Sequence, residues 1–322
     1  MKRIIAILLC LLLLSALLPA CGSPAAQKSA GSLSIVTAIF PVYDWTREIL
    51  GDTGSAELTL LLDSGVDLHS FQPSAGDILQ ISACDLFIYV GGESDAWVAD
   101  ALAESPNVDR IDIDLMTALG DGAKEEQLVE GMEPDDEGEE GETEYDEHIW
   151  LSLRNAEALC AVIADALAEL DPANAETYEA NAAAYTAKLE ALDGAYADAV
   201  NAAAYDTVLF GDRFPFRYMT DDYGLTYYAA FAGCSAETEA SFDTVIFLAD
   251  KVDVLGLPAV LTIEGTDHRI AETVVQNTAS KDQPILTMDS MQGTTEQDAE
   301  AGATYLGIME KNLAVLKQAL NG

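Results

Sequence analysis

Residues 33–52 read LSIVTAIFPVYDWTREILGD, and this stretch decides the fold class. Its first nine residues are β-branched and apolar, the composition of a buried strand. The next nine, 42–50, set Val42, Trp45, Ile49 and Leu50 on one face at helical spacing, and Gly51-Asp52 stops the helix. Working outward, residues 57–62 form a second strand running into the loop DSGVDLHS at 63–70. Residues 77–82 read as helix, and DLFIYV at 85–90 as a third strand ending at Gly91-Gly92. Strand, helix, strand, helix, strand is α/β order, which implies a mostly parallel sheet whose loops carry the function.

The texture changes at residues 121–147, which hold fourteen Asp and Glu against a single Lys. This composition predicts a solvated, mobile acidic loop. Residues 155–170 predict a helix closed by Asp171-Pro172. Residues 173–203 are Ala-rich, with Tyr178, Tyr185, Leu189 and Leu192 at helical spacing. They predict one long helix of ~45 Å, interrupted or bent near Gly194. The α/β pattern then restarts, with strands at 206–210, 225–230, 259–263 and 284–288, helices at 241–254 and 268–277, and a last helix at 299–320. The expected architecture is two α/β lobes, each with a mostly parallel sheet, joined by a long backbone helix. The expected segments are an N-terminal lobe at 32–153 that includes the acidic loop, linking helices at 154–203, and a C-terminal lobe at 204–322. The cleft between lobes is the expected ligand site.

The chain opens with Lys2 and Arg3 before an apolar run from 4 to 18, too short for a spanning helix of ~20 residues. It ends in Pro19-Ala20-Cys21. Residues 1–20 therefore predict an export signal, with Cys21 lipidated and 21–31 a flexible tether of small residues; plain cleavage near Ala20 is the other reading. About 290 residues remain, and at 50% hydrophobic content they can bury a core. The net charge is −41, and losing the two cations Lys2 and Arg3 with the signal takes it to −43. Such a surface repels nucleic acid and anionic lipid headgroups and attracts cations. Beyond Cys10 and Cys21, the remaining Cys84, Cys160 and Cys234 are an odd set, and packing is the expected role of the first two.

There are three histidines. His69 lies in a turn-rich loop beside Asp67, where placement favours binding over packing. His148 follows Asp146-Glu147 and precedes Ile149-Trp150-Leu151, so a hydrophobic anchor fixes it at the end of the acidic loop. Neutral imidazole suits zinc, copper, nickel and iron, and carboxylates extend the range to manganese. His268, in Asp267-His268-Arg269 at a helix start, reads as a surface residue.

An ordered series of segments carries a resemblance: VTAIFPVYDWTREILGD, LLDSGVDLHSFQPSAGDI, ACDLFIYVGGESDAWV, the acidic loop, DEHIWLSLRNA, LDPANAETYEANAAAYTAKLEAL and ATYLGIMEKNLAVLKQAL. With a lipoprotein signal in front, the chain resembles the metal-binding lipoproteins of ABC-type zinc and manganese importers over nearly its whole mature length. The resemblance implies two lobes bridged by a rigid helix, one divalent metal between them, and an ABC permease with its ATPase as partners. It places the first two ligands on His69 and His148 and a late second-lobe ligand on Asp289. The third ligand is where this sequence departs from the family, because its position falls within Phe210-Gly211-Asp212-Arg213-Phe214. Asp212 is the nearest carboxylate, and Glu264 at the end of a strand is also well placed. Zinc is expected ahead of manganese.

The expected protein is a monomeric, lipid-anchored receptor and not an enzyme. A zinc hydrolase would need an open water position and a base, and no His-Glu-x-x-His occurs. A metal-binding adhesin or storage protein would share fold and site.

Overall fold

The structure, a computed structural model, describes residues 32–103, 107–132, 144–235 and 239–322. The signal at 1–20, the tether at 21–31 and Cys21 lie outside the described residues, as does the middle of the acidic loop. Two four-stranded parallel sheets form the frame. The first has the order β2-β1-β3-β4, from β1 (Leu33–Thr37), β2 (Ala56–Leu60), β3 (Leu86–Tyr89) and β4 (Ile111–Asp114). The second repeats that winding as β6-β5-β7-β8, from β5 (Thr207–Phe214), β6 (Thr226–Ala232), β7 (Val260–Ile263) and β8 (Ile285–Met288). Register is set by apolar partners: Ile35 faces Leu58 on one side and Leu86 on the other, and Leu261 faces Phe210 and Leu286. Parallel strands need crossovers, and these are helices that cover the sheet faces.

The helices of the first half are α1 (Phe40–Leu50), α2 (Ala75–Ala83), α3 (Val98–Ala103) and α4 (Leu115–Leu119). Then come α5 (Leu153–Leu170) and α6 (Ala175–Asn201), followed by α7 (Arg217–Tyr223), α8 (Phe242–Leu255), α9 (Arg269–Asn277), α10 (Glu296–Glu300) and α11 (Tyr305–Asn321). α6 is the predicted long helix, and it passes through Gly194 without interruption, so the expected break there does not occur. Its 27 residues span ~40 Å. Tyr178, Ala182, Tyr185, Leu189, Leu192 and Tyr196 form its buried stripe. At one end Asn181 Nδ2 donates to Ile49 O (3.0 Å), closing the C-terminus of α1; near the other Tyr196 Oη donates to Met309 O (2.7 Å) in α11. Gly51 must be glycine here, since a Cβ would sit 2.7 Å from Asn181 Nδ2 at a φ of 55°.

Two further expectations are corrected. The helix expected at 299–320 is two helices, α10 and α11, because Gly302 at φ 102° breaks the run and Thr304 caps α11 through Gly307 N (3.0 Å). The acidic loop is not solvated throughout. Its flanks pair as Glu126 N to Glu144 O (2.8 Å) and Asp146 N to Lys124 O (2.9 Å), and Tyr218 Oη of α7 holds both sides, accepting from Lys124 N and donating to Asp146 O. β4 was not expected, since its IDID alternates apolar with charged residues at a sheet edge. Among the described residues no helix is long and apolar enough to cross a membrane.

One buried carboxylate joins the ends of the chain. Asp44 of α1 accepts from Tyr305 N at the start of α11 (2.7 Å) and pairs with Arg47, while the Trp45 and Tyr305 rings meet edge to face at 5.2 Å. Burial pushes the Asp44 carboxyl up to about 6, although the Tyr305 N–H and Arg47 oppose it. A carboxyl raised in the folded state contributes stability that is full below its unfolded value of 3.8 and is lost as pH rises through about 6. Asp44→Asn should remove up to about 3 kcal/mol of that dependence. Its melting temperature should therefore change less than wild type between about pH 4 and 7; matching melting profiles would show that Asp44 ionises as freely as an exposed aspartate.

Candidate metal centre

The functional side chains sit at the carboxyl ends of strands, where open parallel sheets place their sites. After β2 the chain makes a short 3-10 turn at Leu68–Ser70, capped by Asp67, whose Oδ1 accepts from His69 N (3.0 Å). His69 Nδ1 lies 2.8 Å from Ser94 Oγ and 3.4 Å from Glu147 Oε2. Burial would raise the Glu147 carboxyl, but bonds from His69 and Ser94 hold it below the usual range. An ionised carboxylate accepts only, so the proton of this imidazole belongs on Nδ1. Gly92 makes room for that carboxylate: a Cβ would lie 2.3 Å from Glu147 Oε1.

His148 opens a second 3-10 turn, Ile149–Leu151, and is fully buried. Its Nδ1 sits 3.0 Å from Asp146 Oδ1, which also accepts from His148 N (2.9 Å). The same logic puts its proton on Nδ1. Both imidazoles therefore carry a carboxylate behind them, the arrangement that orients histidine ligands and raises their basicity. Their free Nε2 atoms are 3.3 Å apart. Two zinc–nitrogen bonds of ~2.05 Å at the tetrahedral angle span ~3.3 Å, so the spacing of the two nitrogens matches a single tetrahedral metal.

The third candidate donor follows a strand of the second sheet. Cys234, in the loop after β6, has its sulfur within 4.8 Å of a ring nitrogen of each histidine. A zinc–sulfur bond of ~2.3 Å requires a nitrogen–sulfur separation of ~3.5 Å, so a movement of roughly 1 Å completes a three-donor set. Burial pushes the Cys234 thiol well above its ordinary range, and Asp146, Glu126 and Glu147 push it further. The thiol is thus protonated until a cation replaces the proton. The loop is shaped for this approach, since a Cβ on Gly233 would lie 3.0 Å from the His148 ring and 2.9 Å from Phe214 O.

The structure brings His69 and His148 together and adds Cys234, which the sequence reading left among the cysteines. Its signal was present: an unpaired cysteine in a strand-end loop of the second lobe. Asp212, Glu264 and Asp289 lie outside that cluster among the described residues. Asp212 accepts from Thr266 Oγ1 (2.8 Å), Ile263 N (3.4 Å) and Arg213 N (2.9 Å). Both oxygens of Glu264 accept from Ser290, through N and Oγ at 2.6 Å each, and Gln292 N adds a bond of 3.2 Å. Asp289 Oδ1 accepts from Met291 N (2.8 Å), and burial raises both this carboxyl and that of Glu264. His268 occupies the position before α9, and its Nδ1 turns to Thr262 Oγ1 of β7 at 2.7 Å.

Residues 35–319 match the family described as zinc-uptake complex component A, periplasmic (ZnuA). The chain belongs to this family. It is 36% identical over 299 residues to the zinc-binding lipoprotein AdcA of Streptococcus pneumoniae, covering 91% of this chain and 57% of that protein. The chain thus spans little more than half the length of this curated relative. The high-affinity zinc uptake system protein ZnuA of Bacillus subtilis is 28% identical over 313 residues, 94% of each chain. The crystal structure of the Zn(II)-bound ZnuA-like domain of S. pneumoniae AdcA superposes with a TM-score of 0.71 at 31% identity, covering 91% of this chain and all of that one. The laminin-binding protein Lmb of Streptococcus agalactiae, described as having adhesin and metal transporting activity, superposes with a TM-score of 0.72 at 25% identity over 90% of this chain.

For a ZnuA-family chain with this geometry, Gly233→Ala should press on the His148 ring and weaken zinc binding by roughly tenfold, the scale of a disturbed outer shell. A chelating-dye competition measures it. Unchanged affinity would mean that the loop yields and His148 is not held by it.

Proposed function

We propose that this protein captures a divalent transition metal, zinc before manganese, and delivers it to an ABC-type importer. The observation that carries the reading is the pair of Nε2 atoms 3.3 Å apart, each ring backed by a carboxylate, with a thiol within reach. Two imidazoles and a sulfur suit zinc better than manganese, which prefers oxygen donors. Four acidic side chains surround the donors, Asp67, Glu126, Asp146 and Glu147, and favour a cation over any anion.

The second sheet supplies the donor that makes binding span the lobes. Cys234 takes that part in our reading, and Asp289 is the carboxylate best able to add a fourth donor, since its hydrogen bonding among the described residues runs through Oδ1. Asp212 and Glu264 are committed to holding β7 and the loop after β8. Cargo then passes to a permease and its ATPase, with the receptor a monomer tethered to the membrane through lipidated Cys21. An adhesin role, as described for Lmb, would use the same fold; the presence or absence of neighbouring permease and ATPase genes would decide between the two.

His69→Ala and His148→Ala should each abolish tight zinc binding while leaving the apo fold intact, because both histidines sit at short 3-10 turns and not inside a helix or strand. Zinc at 1,000 times its dissociation constant should stabilise wild type by ~4 kcal/mol. Cys234→Ser should lose most of that stabilisation but keep weak binding by the histidine pair. Asp289→Ala should lose less, and Asp212→Ala and Glu264→Ala should keep wild-type affinity. Thermal melts with and without zinc, alongside elemental analysis, read all six; a tight-binding His69→Ala would place the metal elsewhere.

A further inference from the structure

We infer that Arg213 is the positioning residue of the metal centre, a single guanidinium that sets the distance between the histidine turn of the first lobe and the cysteine loop of the second. The inference rests on the His69, His148 and Cys234 reading above. Arg213 stands where β5 shifts register against β6, between Phe210 and Arg213. Gly211 permits that shift against the next layer, since a Cβ there would lie 2.5 Å from Ala271 Cα in α9. The irregular strand aims the side chain at the first lobe.

There one Nη2 lies 2.7 Å from Asp67 Oδ2, while Nη1 donates to Ser235 O (3.3 Å). Asp67 is the residue whose other oxygen caps the His69 turn, and Ser235 directly follows Cys234. One planar group therefore grips the neighbours of both donors at once. Gln292 supports the same carboxylate: with its amide oriented to satisfy its neighbours, it donates to Asp67 Oδ1 at 2.9 Å.

The chemistry requires arginine. A guanidinium stays charged and presents a rigid fork that can hold two acceptors on different loops, whereas a lysine ammonium is a single point on a flexible stem. Pairing with Asp67 also neutralises the cation beside a site that must accept another. Asp67, Arg213 and Ser235 line a cavity of about 540 Å³ at the edge of the centre, so the strut stands in a cavity wall with a fifth of its side chain exposed, and its loss does not empty a packed core. Without it the two donor loops must be brought together at the expense of binding free energy.

Cobalt(II) loading of the full chain tests this, because a thiolate on cobalt gives a charge-transfer band and the histidine pair alone does not. Arg213→Met should weaken cobalt and zinc affinity by about tenfold or more, the scale of a charged hydrogen bond, and should lose most of the thiolate band while keeping the ligand-field bands. Arg213→Lys should fall between Met and wild type. Should Arg213→Met fold poorly by circular dichroism, Asp67→Asn serves instead: it keeps the cap on His69 N, weakens the pair with Arg213 and should dim the same band. Cys234→Ser separates the two ideas. If that variant keeps the thiolate band and wild-type affinity, the three-donor reading fails and the role of Arg213 with it. If Cys234→Ser loses the band but Arg213→Met and Asp67→Asn keep band and affinity, the donor set stands and the strut is overturned.

Discussion

The metal centre depends on how the turn at residues 146–151 is held. His148 belongs by sequence to the first half of the chain, yet its backbone is gripped from the second. Trp150 Nε1 donates to Ser290 O (2.8 Å) beyond β8, Tyr305 Oη of α11 donates to Trp150 O (2.7 Å), and Tyr218 Oη of α7 donates to Asp146 O (2.8 Å). All three donors are buried aromatic side chains, which combine large apolar contact with one polar end. The position of one imidazole is therefore fixed by both lobes before any ligand arrives. The main hydrophobic core makes the same point: it runs from Ile35 in β1 to Leu320 in α11, and the second sheet adds a smaller cluster on its α8 and α9 side.

The histidine pair and the long helix could be read from sequence because their signals are local. A β-branched run followed by Trp45 and Ile49 at helical spacing leaves little choice of secondary structure, and the stripe from Tyr178 to Tyr196 is continuous over the length of α6. Acidic neighbours beside His69 and His148 gave their chemistry. Cys234 was less legible, since what makes it a donor is the approach of a loop 86 residues after His148 along the chain, and no spacing rule reports that. Arg213 was hidden for the same reason. Its residue type suggests a surface charge, and its role appears only when β5 shifts register and turns it toward Asp67. The split of the last helix was missed because Gly302 sits among good helix formers whose periodicity continues on both sides.

The charge of the chain now has a local meaning. Many acidic residues of the described chain are exposed, but Asp146 and Glu147 are buried beside the histidines, with 2% of each exposed. Buried carboxylates are tolerated where they are hydrogen-bonded, and these receive N–H groups from His148 and Ser94. They hold the two imidazoles with their Nε2 atoms 3.3 Å apart, which is the part of binding that would otherwise cost ordering entropy.

The protonated state of Cys234 bears on survival as well as on loading. Thiolates are the form that attacks oxidants and disulfides, and a thiol forced to hold its proton reacts slowly with them. Cys84 and Cys160, the other free cysteines of the described chain, are buried in the core and hold raised thiols of their own. In an oxidising compartment the acidic shell that holds the proton on this sulfur thus also slows its oxidation, and a cation that displaces the proton becomes its protecting group.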